Sequence, residues 1–142
     1  MRGPGRDEKA ILKLARIARA RVDEAQAHLA DLEAARVSAE TSIDWLSRAV
    51  GAEEAGVAAS PAAMADLARF LEGADLKKKA LAATRDRLAG EIVGARDALS
   101  DAFGELKKLE HLVEIKRRAM ARDASKAEVE KAADVISFRR PA

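Results

Sequence analysis

The sequence predicts an all-α fold, a long antiparallel two-helix coiled-coil hairpin with a C-terminal helical overhang. Two apolar seams and the break between them carry that prediction. Alternating steps of four and three from Leu67 reach Met120 through sixteen positions, thirteen of them apolar. Apolar residues make up 49% of the whole chain. The enrichment therefore marks a 3.5-residue seam, and a helix that requires a partner helix. The same alternation from Ile11 to Val50 meets eleven apolar residues in twelve. Between the seams, GAEEAGVAASPAAMAD breaks the pattern. Two seams joined by a short break cover each other only if the chain folds back, which makes an antiparallel hairpin.

Composition agrees. The 142 residues suit one domain, and 35% charged with 3% aromatic side chains suits long helices better than a compact globule. Alanine layers bring backbones close but bury little area each, so many thin layers must share the stability. Without cysteine there is no disulfide, thiolate metal ligand or cysteine nucleophile, which fits a reducing compartment. The opening MRGPGRDEKAILK lacks an apolar signal core and no run approaches membrane-spanning length, so a cytoplasmic location is expected. The formal charge of +2 is unevenly spread: +5 over residues 1–21, −8 over 22–75 and +4 over 116–142.

In order, residues 1–6 are a flexible lead-in with two glycines and a proline. Helix one is expected over about 7–51, with Asp7 as N-cap or with Asp7 and Glu8 in the first turn against the helix dipole. Arg36 is the one interruption of its seam. The turn falls within about 52–60, because Ser60 is a good N-cap and Pro61 suits the first helical position. Helix two runs over about 61–122 or beyond. A turn centred near residue 56 sets Ile11 opposite residues 101–105, so the seam beyond about Phe103 has no mate within the chain. Ser125 and Glu128 have capping-box spacing inside the helix-compatible stretch 123–136, and the tail 137–142 is expected to fray. Lys78 and Arg85 also occupy seam positions, from which long basic stems can snorkel, and Asp31 is placed near Arg85.

Catalytic and metal chemistry find little support. His28 with Asp31 and His111 with Glu114 are lone helical pairs, whereas zinc needs three or four converging ligands. A two-helix hairpin offers no water-excluding pocket for paired carboxylates, and phosphate-loop, dinucleotide and serine-hydrolase motifs are missing. A non-enzyme with no cofactor and no metal is expected. The basic hairpin end suggests nucleic acid, but acidic residues interleave and no aromatics accompany the basic run, which disfavours it. A nucleic-acid-associated or self-associating coiled-coil scaffold remains the alternative class.

Apolar residues outside the seams suggest docking instead. With Ile11 at heptad position d, Leu12 falls at e, Leu14 at g and Ile17 at c; on helix two, Phe103 falls at e, Leu112 at g and Ile115 at c. A two-stranded coil buries a and d, while c faces water. Six such residues at one end of a chain poor in large apolars mark a partner surface, with Arg16, Arg117 and Arg118 beside it. Near the turn, Trp45 at c and Phe70 at g lie at similar height, either as an interface anchor or with Trp45 folded over Leu46 or Val50.

The opening EKAILKLARIARARVDEAQAHLADLEAAR and the closing EHLVEIKRRAMARDASKAEVEK, around a short hairpin tip, resemble the FliJ family of the flagellar export apparatus. YscO-type secretion stalk proteins are similar. The likeness covers residues 9 to about 130 and rests on length, hairpin layout and charge style. It implies a stalk-like coiled coil of type III protein export whose open end enters a hexameric export ATPase. It further implies contacts with the membrane export gate and with export chaperones, the membrane being approached through partners only. Trp45 and Phe70 stand nearest the positions through which the family meets the gate.

Overall fold

The computed structural model describes residues 5–139 as two helices, α1 (Arg6–Gly56) and α2 (Pro61–Arg139). Most of the expected lead-in, residues 1–4, and the last three residues of the expected tail, 140–142, lie outside the described residues. Residues 137–139 continue α2. Packing gathers the chain into two compact units. A terminal unit joins residues 1–23 to 101–142, and a tip unit spans Glu24–Ser100. In both units, α1 and α2 pack antiparallel as a helical hairpin, and no strand occurs among the described residues.

The helices form where propensity and seam agree. Alanine, leucine, arginine and glutamate are prominent in both, without a long β-branched run to restrict the backbone. Exposed four-residue pairs such as Arg36–Glu40, Asp44–Arg48, Asp75–Lys79 and Arg87–Glu91 add about 0.2–0.5 kcal/mol each. α1 begins as Lys9 N–H donates to Gly5 carbonyl oxygen at 3.0 Å, which puts Asp7 and Glu8 in the first turn. It then passes through Gly51 and ends at Gly56, five residues beyond the expected boundary. Gly51 lies in open space within a regular helix, where its cost of about 1 kcal/mol is too small to end it.

The link is residues 57–60, within the expected turn. Ser60 caps α2: its Oγ accepts from the Ala63 amide at 3.1 Å, and its carbonyl accepts from Met64 at 2.9 Å. Pro61 then needs no amide hydrogen. The Ser125–Glu128 spacing starts nothing, because α2 passes through it unbroken.

In the tip unit, Ala39, Leu46, Ala74, Leu88, Ile92 and Ala95 are buried. In the terminal unit the core is Ala18, Val22, Leu106 and Val113. Every seam position from Ile11 to Val50 and from Leu67 to Met120 is at least half-buried except Arg36 and Lys116. Among the described residues, four of the ten buried apolar side chains are alanines, so the layers are thin.

The expected register needs correction. Leu106 and Val113 are buried and Leu109 and Met120 half-buried, so the stretch from Phe103 to Met120 does have a mate in this chain. Glu8 reaches Arg117, which places Ile11 near Val113 and not opposite 101–105. At the tip, Gly56 shares one groove with Ala63, Asp66 and Leu67. The first turn of α2 is thus spent crossing the end of α1 before pairing starts, which shifts all later pairs. Side-chain tilt towards each helix N-terminus shifts them further the same way. The overhang is real but begins at Ala121, from which every described side chain is exposed through Ser137.

Candidate docking surfaces

In the terminal unit the antiparallel packing brings g positions of the two helices to one side and e positions to the other. Leu14, Ile17, Leu112 and Ile115, all exposed, fall on the g–c side and form one apolar flank. Leu12 and Phe103 fall on the opposite e side. Leu12 is half-buried, and Phe103 lies beneath Lys107 Nζ at 5.3 Å from its ring centre. The six apolar residues read as one cluster therefore separate onto two flanks. Arg16 and Arg117 share the e–b flank, where Arg117 Nε stands 4.0 Å from Glu8 Oε1. Arg118 points away and pairs with Glu114 at 3.1 Å.

The sequence reading places Glu8 in the first turn but misses that it is buried in the seam. One further step of three back from Ile11 lands on it, so it sits in the seam, 7% exposed. It is the one buried charged residue among those described, and its Oε2 has no hydrogen-bond partner. A carboxylate at a seam position breaks the apolar pattern, which is why the seam is read as starting at Ile11.

The tip unit holds Trp45 and Phe70 on its own g–c flank, with Trp45 67% exposed. Across the helices, Arg96 donates to Glu33 at 3.4 Å. Arg85 turns to its neighbour Asp86 at 3.3 Å rather than to Asp31. The terminal unit carries seventeen basic and eleven acidic residues, net +6; the tip unit carries nine and thirteen, net −4. Among the described residues no three His, Asp or Glu side chains gather as metal ligands. No described helix is long and apolar enough to cross a membrane.

No family model matches the sequence, and no solved structure matches it. Two curated relatives do, each 31% identical over 129 residues, covering 91% of this chain and 92% of the relative. Both are named Flagellar FliJ protein, from Caulobacter vibrioides strains NA1000 / CB15N and ATCC 19089 / CIP 103742 / CB 15. The chain belongs to the FliJ family. The match leaves only 13 of 142 residues uncovered, so the likeness of this FliJ-family chain to its relatives extends over both helices and is not confined to one.

Proposed function

We propose that this chain is a non-enzymatic component of the flagellar type III protein export apparatus, linking the export ATPase to the export gate and export chaperones. The observation that supports it most is the near full-length likeness to proteins named Flagellar FliJ protein. The terminal unit receives the hexameric ATPase. Its net charge of +6 suits an acidic socket, with Arg16 and Arg117 on one flank and Arg118 behind. Ile17, Leu112 and Ile115 supply apolar contact on the other flank, with Leu12 and Phe103 across from them. Trp45 and Phe70 serve the gate, as two exposed aromatic side chains on one flank, Phe70 lying nearer the link beside Glu53 and Gly56, each suited to anchor a protein contact. The chain acts by docking, in the cytoplasm, and meets the membrane through these partners alone.

The test is charge reversal of Arg16, Arg117 and Arg118 together to Glu. Association with the purified export ATPase should weaken at least about ten-fold, and export and motility should fall with it. Unchanged association and unchanged export would overturn the assignment of the terminal unit to the ATPase.

A further inference from the structure

A pair of helices that needs only each other requires apolar residues at a and d. The terminal unit has more. Leu14, Ile17, Leu112 and Ile115 widen its stripe to g and c on both helices, the pattern of a helix that packs in a larger bundle. Trp45 and Phe70 widen the tip unit on its own g–c side. Around them α1 offers Ser38, Ser42, Ala49 and Ala52 and α2 offers Gly73 and Ala80, small residues interrupted on α2 by the exposed Lys77, on which another helix pair can lie. A Cβ built on Gly73 meets nothing within 4 Å, so that surface is open. Two such flanks facing one another would make a four-helix layer in which both sets of surplus apolars leave water.

Charge decides which flanks meet. Terminal unit against terminal unit brings +6 to +6, and tip against tip brings −4 to −4. Terminal against tip is the attractive combination. We infer that a second copy of this chain covers the apolar flank: the terminal unit of one copy docks Leu14, Ile17, Leu112 and Ile115 on the Trp45–Phe70 flank of the other's tip unit. The contact occludes the g–c apolar flank assigned above to the ATPase and the aromatic flank assigned to the gate while leaving the e–b flank open, so the paired form is a resting form that partners must displace. It goes beyond the docking reading and is measured on the pure chain, so the two fail separately.

Trp45, the single tryptophan of the chain, reports the contact. Sedimentation of the full chain at low salt should show mass rising from one chain towards two with concentration. Over the same range Trp45 emission should move to shorter wavelength and its acrylamide quenching should fall. Raising salt to about 0.5 M should weaken the association several-fold. Ile17→Asp with Ile115→Asp alters only exposed positions, so circular dichroism should stay helical while the dissociation constant rises at least about ten-fold. Trp45→Ser, read by sedimentation alone, should weaken association as well. One-chain mass at every concentration would overturn the inference. So would association that leaves Trp45 emission unchanged, or that survives both variants, since either places the contact elsewhere.

Discussion

Glu8 occupies a seam position that in its neighbours is alanine, isoleucine or valine, and one of its carboxylate oxygens is buried without a partner. Position in the first turn of α1 returns about 0.3–1 kcal/mol through the helix dipole, less than the roughly 1–3 kcal/mol cost of an unsatisfied buried acceptor. Arg117, mostly exposed and 4.0 Å away, offsets little of that. Glu8→Leu is therefore expected to stabilise the chain by about 1 kcal/mol or more, read as a higher urea midpoint at unchanged slope. An equal or lower midpoint would show that Glu8 is satisfied. Ile92 and Val93 make the converse comparison: adjacent on α2, one is 1% exposed and the other 59%. Ile92→Ala should cost about 2–4 kcal/mol, while Val93→Ala should stay within about 0.5 kcal/mol. Matching losses at both would contradict the register of the seam. Heptad counting foretold that contrast, because each side chain's fate here depends on its angle around the helix. It could not foretell Glu8, since a charge in a seam is indistinguishable from the end of one.

At the scale of elements, the link and the overhang carry the tests. Ser60→Ala removes the hydroxyl that accepts from Ala63 and should cost about 0.5–2 kcal/mol. A smaller loss in a urea titration would mean the chain already holds the link without its cap. Beyond Met120, α2 continues for nineteen residues with its described side chains exposed. A helical extension without packing partners frays from its free end, because only its local hydrogen bonds hold it. Amide exchange should accordingly be slow around Leu88 to Val113 and fast from Ala121 onward. Uniform protection through residue 135 would mean the overhang is covered in the free chain. Both helices, the link and the Ser60 cap were legible because each rests on local chemistry. The register was not, because it depends on how many residues cross the tip, and Pro61 marks where α2 starts without marking where it begins to pair. The candidate flanks were half legible: the surplus apolars and their heptad letters were visible, but grouping the six by their nearness to one end overlooked that e and g positions of an antiparallel pair lie on opposite sides.

For the whole molecule, separation of charge connects fold to function. A chain of net +2 hides a terminal unit of +6 and a tip unit of −4. On the proposed reading, that polarity suits the two units to different partners and, between copies, to each other. The central claim is that the terminal unit, not the tip, meets the export ATPase. A photo-crosslinking residue placed singly at position 17, 115 or 45 in the full chain, irradiated with the purified ATPase, tests it most directly. Crosslinks to the ATPase from 17 and 115 and none from 45 are predicted; crosslinks from 45 alone would contradict the account.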